Sequence, residues 1–206
     1  MTNKINMKTN YIWLLIVLLF GFTACESDDD TLSDPLENNT VTTTVTPNFT
    51  SGTADFSTFV AIGNSLTAGF SDNALFAKGQ EASFPNLLAQ RMALAGGGQF
   101  TQPLMSDDVG GLLLGGTPIS GPRLIFNAVT QGLEPAAGTP STDITNIIAG
   151  PYNNMGVPGA KSFHLLANGY GDIANFPAAA NPYFVRMASS PGASMLEDAM
   201  AMNPTF

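Results

Sequence analysis

Ser65 stands where covalent chemistry is easiest to build. It lies in Val60-Ala61-Ile62-Gly63-Asn64-Ser65-Leu66-Thr67-Ala68-Gly69-Phe70, an apolar run that breaks into a small polar cluster. A serine at the end of a buried strand, where the chain turns sharply, presents its hydroxyl at the sheet edge. A second break of the same kind occurs at Asn153-Asn154-Met155-Gly156-Val157-Pro158-Gly159-Ala160. If both segments end neighbouring strands, the backbone N–H groups of Ser65 and Gly156 can converge on one carbonyl oxygen. Such donors lower the barrier to a tetrahedral intermediate by on the order of 2.7–4 kcal/mol each.

These positions need strands and helices to hold them. Residues 57–64 have the β-branched and aromatic content of a buried strand closed by glycine. Residues 83–97 predict a helix with Ser83 as cap, Pro85 in the first turn and a stop at Gly96. Its apolar stripe is Leu87, Leu88, Met92, Leu94 and Ala95. Residues 96–122 read as Gly-rich and irregular, 121–129 as a strand, and the stretch to about 141 as a loop. Residues 142–149 fit a short helix or strand, 151–160 a strand then a turn. A helix ended by Gly169 is expected over 160–169, and a last one over 193–202. Strand–loop–helix units in series predict an α/β sandwich with a mainly parallel sheet. Ligands of such sheets gather at the carboxyl ends of strands, where Ser65 and Gly156 both fall.

Gly63-Asn64-Ser65-Leu66-Thr67-Ala68-Gly69 resembles the first block of the GDSL, or SGNH, serine hydrolases. Residues Asn153 to Ala160 resemble their second block, and Phe84-Pro85-Asn86-Leu87-Leu88 resembles the helix start that follows the first. The resemblance covers about residues 57–97 and 150–170. It implies a flavodoxin-like three-layer sandwich, Ser65 as nucleophile, and an oxyanion hole from the N–H groups of Ser65 and Gly156. Gly63 and Asn64 complete the motif, Asn64 standing where the family usually has Asp. The implied reaction is hydrolysis of a carboxylic ester, of lipid or of carbohydrate, without a cofactor. Between the blocks lie 90 residues, 66–155. The Gly-rich part, about 96–141, reads as an insertion, a wall or lid over the acyl site.

The family also carries a Gly-x-Asn-Asp block and a final Asp-x-x-His, which supplies the general base. Neither follows Gly156. The one histidine, His164, lies in an apolar pattern with Phe163, Leu165 and Leu166 and reads as a packing residue. The sequence stops at Asn203-Pro204-Thr205-Phe206, where the family's next strand starts. The expectation is therefore the N-terminal part, 55–206, of a longer hydrolase domain, C-terminally incomplete. Loss of the base in a serine triad costs on the order of 10⁶ in turnover, so ester hydrolysis is expected to be impaired. The alternative is a non-catalytic surface lipoprotein that binds a glycan or protein partner.

Composition bounds the setting. A hydrophobic content of 44% with 14 Phe in 206 residues supports one packed domain. The net charge of −9 and the lack of any basic stripe exclude nucleic acid as partner. His164, Asp172 and the scattered acids lack metal-ligand spacing, so no metal is expected. Residues 1–24 read as a signal peptide: Lys4 and Lys8, then the uncharged apolar stretch 11–22, too short to span a bilayer. Thr23-Ala24-Cys25 follows, and Cys25 is the only cysteine. The pattern resembles a lipobox, implying lipidation of Cys25 and a membrane anchor. Six of the sixteen acids lie within 26–37. Glu26 to Asp30 resembles the surface-export signal of Bacteroidetes-type lipoproteins, implying an outer-membrane, surface-exposed protein. Residues 25–54, acidic and then Thr-rich, read as a flexible tether.

Overall fold

The two blocks meet in a parallel strand pair. In the computed structural model, which describes residues 48–206, Ala61–Gly63 (β1) runs beside Asn154–Gly156 (β6), with Gly63 opposite Gly156. The leader, Cys25 and the tether up to residue 47 lie outside the described residues; 48–54 contain no helix or strand. No helix among the described residues is long and apolar enough to cross a membrane.

Between β1 and β6 come three helices and two hairpins. The helices are Ser65–Ala68 (α1), Ala77–Glu81 (α2) and Phe84–Ala93 (α3). Leu112–Leu114 (β2) pairs antiparallel with Thr117–Ser120 (β3), and Leu124–Asn127 (β4) with Gly132–Pro135 (β5). After β6 come 3-10 helices at Ser162–Leu166 and Ile173–Asn175, then Pro182–Val185 (α4) and Met195–Met200 (α5). The chain is thus a mixed α/β protein with a small parallel sheet.

Alternation along β6 places helices on both faces of the strand pair. Met155 and Val157 join a core with Tyr170, Phe184, Met187, Met195 and Ala199. Asn154 points the other way, toward α1, and Gly156 packs on the same side. A second core, of Ala68, Leu75, Met105, Leu112, Ile144, Ala180 and Val185, ties the hairpin β2–β3 to α1 and α4. Helix α5 is set by a capping box, in which Glu197 N–H donates to Ser194 Oγ and Ser194 N–H to Glu197 Oε2. Its buried residues, Met195 and Ala199, are one turn apart.

Helix α3 begins after Ser83, with Pro85 in its first turn, as expected, but it buries a different face. Pro85 and Ala89 are buried, whereas Leu87, Leu88 and Leu94 are exposed. The helix packs close to α1 and α2. Ser83 caps nothing; its hydroxyl donates to Gln102 Oε1 instead.

The Gly-rich stretch is more regular than expected. Gly115 and Gly116 form a two-residue turn between β2 and β3, both with positive φ (57° and 82°). Two such residues in a row are what a tight hairpin of this hand requires. Asp143 holds the turn from outside, accepting from the N–H groups of Gly115 (3.1 Å) and Gly116 (2.7 Å). Residues 142–149 form neither helix nor strand; Asp143 makes only an isolated parallel bridge with Leu113. The helix expected over 160–169 is the shorter 3-10 helix Ser162–Leu166.

Segment 102–105 has no regular structure, so its backbone is satisfied by side chains. Gln80 donates to Pro103 O and accepts from Met105 N–H. Arg186, 2% exposed, donates to Pro103 O (3.2 Å) and Leu104 O (2.6 Å) and has no carboxylate partner among the described residues. Burial pulls its pKa down to about 10, against the opposing pull of Tyr152 and Tyr183.

Candidate active site

Ser65 is the first residue of α1, directly after the carboxyl end of β1. The Asn64 side chain caps this short helix by accepting from Leu66 N–H at 3.2 Å. Asn and Asp cap almost equally well, so Asn64 preserves the turn that an Asp would make. Ser65 is partly exposed, and neither its Oγ nor its N–H has a hydrogen-bond partner among the described residues. Its carbonyl accepts from Phe70 N–H at 2.9 Å, which closes the turn behind it.

The second block arrives at the same end of the sheet, with Val157 N–H donating to Gly63 O at 2.9 Å. Gly156 is buried against α1: a Cβ there would lie 2.6 Å from Thr67 C and overlap Ala68 N. Its glycine is required by helix–strand packing. Its N–H already donates to Asn154 Oδ1 at 3.0 Å. Donation from Gly156 to a substrate oxygen therefore requires breaking that bond.

Gly159, three residues on, is placed differently. It is exposed, has φ +82°, and its N–H has no partner among the described residues. Asn181 fixes the turn that carries it, donating to Pro158 O at 2.8 Å. A cleft of about 140 Å³ separates the two block loops, bordered by Gly63 and Asn64 on one side and by Ala160, Lys161, Ser162 and Leu165 on the other. The sequence signal for Gly159 was its place after Val157-Pro158, where a turn must follow the strand.

His164 belongs to the 3-10 helix at the cleft's far wall. Its Nδ1 accepts from Lys161 N–H at 3.1 Å, and its ring stacks on Tyr170 at 4.3 Å. In the neutral ring Nε2 then carries the proton, so neither nitrogen offers a free lone pair. Among the described residues no three His, Cys, Asp or Glu side chains gather as a metal site requires. A cavity of about 510 Å³ is lined mainly by apolar residues, including Ile147, Ile148, Tyr152 and Met187. It opens at the amino end of β6, the opposite end from Ser65.

Asn154 has a role that motif spacing alone does not single out. It is 2% exposed, and its Nδ2 donates to Thr67 O (3.0 Å) and Gln102 Oε1 (2.9 Å). One amide thereby joins β6, α1 and the 102–105 segment.

Comparison with protein-family models, curated proteins and solved structures finds no match to this chain.

Proposed function

We propose that this chain is built on the SGNH-hydrolase plan and that Ser65 is its nucleophile toward carboxylic esters. The observation that carries the reading is the position of Ser65. It begins a helix at the carboxyl end of a parallel strand, its Oγ and N–H both unpartnered among the described residues, directly after Gly63 and Asn64, which border the cleft toward Ala160. The family resemblance of the two blocks supports it, as does the packing of helices on both faces of β1–β6, which fits a three-layer sandwich.

In this reading Ser65 Oγ attacks the acyl carbon, its proton passes through solvent water to the leaving oxygen, and the C–O bond breaks to release the alcohol. Water then releases the acid from the acyl-enzyme. The N–H of Ser65 and that of Gly159, or of Gly156 once freed from Asn154, receive the oxyanion. No described residue stands as general base, so both acylation and deacylation are slow in this chain. The lipid anchor on Cys25 and a surface location rest on the sequence pattern alone.

That no described residue stands as general base to Ser65 favours a second reading, a non-catalytic lipoprotein that binds a glycan or protein partner. Incubation with an activated acetyl ester and peptide mapping separates them. The hydrolase reading predicts an acetyl group retained on the Ser65 peptide and absent from Ser65→Ala. Acylation spread over exposed serines contradicts it.

A further inference from the structure

The hairpin β4–β5 carries an exposed apolar end that the site at Ser65 does not use. Phe126 and Leu133 face each other across the hairpin and are 66% and 67% exposed. Val129, at the tip, is 91% exposed. By strand alternation Leu124, Phe126, Leu133 and Pro135 share one face, while Ile125, Asn127 and Glu134 share the other. Leaving such side chains in water is unfavourable by about 25 cal/mol per Å², and adjacent exposed apolar groups mark interaction surfaces.

The polar side chains of the hairpin bond to one another and to its own backbone. Asn127 Oδ1 accepts from the N–H groups of Val129 (2.9 Å) and Thr130 (3.4 Å), and its Nδ2 donates to Glu134 Oε2 at 2.7 Å. Thr130 Oγ1 donates to Glu134 Oε1 at 2.7 Å. Of the tip's polar side chains only Gln131 is left unengaged, and residues 124–133 carry no charge. Moving Phe126, Val129 and Leu133 out of water therefore strands few polar side chains, with Glu134, which Asn127 and Thr130 keep ionised, left at the wetted margin.

The stem is firmly seated. Leu124 N–H donates to Asp72 O at 2.7 Å and Ala136 N–H to Arg123 O at 2.8 Å. Arg123 pairs with Asp72 at 3.8 Å, donates to Asp108 O, and lies 4.8 Å over the Phe76 ring. The hairpin is thereby fixed to the loop that follows α1.

We infer that the β4–β5 tip is a lipid-surface contact, inserting Phe126, Val129 and Leu133 into the apolar margin of a zwitterionic or uncharged bilayer. Charge decides the class of surface. Residues 51–206 carry ten acids against five bases, which repels an anionic membrane, and the uncharged tip matches a neutral one. The inference is independent of the role of Ser65.

The test uses the full chain with a reporter at the tip. Trp13 is the only tryptophan, so Trp13→Phe combined with Phe126→Trp places one indole on the hairpin; Leu133→Trp in the same background is a second reporter. Neutral phosphatidylcholine vesicles should blue-shift the emission, and brominated acyl chains should quench it. Adding Val129→Asp should weaken this partitioning about tenfold or more. Emission from both reporters unchanged by vesicles overturns the inference, even if the protein binds them elsewhere. A shift that follows protein concentration without lipid also overturns it, and assigns the tip to a second copy of the chain.

Discussion

Asn154 Oδ1 accepts the Gly156 N–H at 3.0 Å, while Asn154 Nδ2 reaches Thr67 O at 3.0 Å on the helix that begins with Ser65. One buried amide thus sets the distance between the two block loops. Replacing it strands a buried N–H and two acceptors, each worth about 1–3 kcal/mol. Asn154→Leu should destabilise the fold by about 2–4 kcal/mol, measured as a lower urea midpoint. Gly156→Ala, which forces a Cβ onto Ala68, should also destabilise it. Gly159→Ala meets nothing nearer than 3.7 Å and should cost only about 1 kcal/mol for its positive φ.

Arg186 is buried with carbonyls as its acceptors and no carboxylate among the described residues. Its fork holds Pro103 and Leu104, which no strand or helix satisfies. Arg186→Met should lower stability by about 1–3 kcal/mol in urea denaturation, because Leu104 O loses its donor while Pro103 O keeps only that of Gln80. Arg186→Lys should recover only part of this, since one ammonium cannot span both carbonyls in the same geometry.

Asp143 is held to a pKa of about 2 by the N–H groups of Thr145 and Gly116, then by the Thr145 hydroxyl and Gly115 N–H. Its ordinary value is 3.8. A carboxylate with a depressed folded pKa contributes stability that is fully present above the unfolded value and is lost as pH falls through the folded one. The β2–β3 turn should therefore stay closed at pH 4 and loosen toward pH 2. The amide resonances of Gly115 and Gly116 should titrate with a midpoint near 2; a midpoint near 4 would break the account.

Much of this was readable from residue types. Gly63-Asn64-Ser65 at a strand end and Pro85 in a first turn act through local backbone chemistry, and each sits where its local rule places it. The misses are non-local. Leu87 and Leu88 satisfy a helical stripe, yet the partner surface accepts Pro85 and Ala89, a preference set by α1 and α2. Gly115-Gly116 carried a hairpin signal that the surrounding glycines masked. The engagement of Gly156 N–H depends on an asparagine side chain turning back on its own strand, which no spacing rule reveals.

The anchor is tested on the cell. Lipidation of Cys25 predicts incorporation of a fatty-acid label and recovery in the membrane fraction, both lost in Cys25→Ser. A wild-type chain that takes up no label rules out the lipobox assignment.

The most direct test of the central claim is competitive labelling of the intact chain by a fluorophosphonate, with each modified serine mapped. Oxyanion donors and binding retain about 10³–10⁴ of rate enhancement even without a triad base. Ser65 should therefore react far faster than exposed Ser71 or Ser190, and added imidazole should accelerate Ser65 selectively by supplying the missing base. Equal labelling of the three serines, with no selective response to imidazole, would contradict Ser65 as a nucleophile.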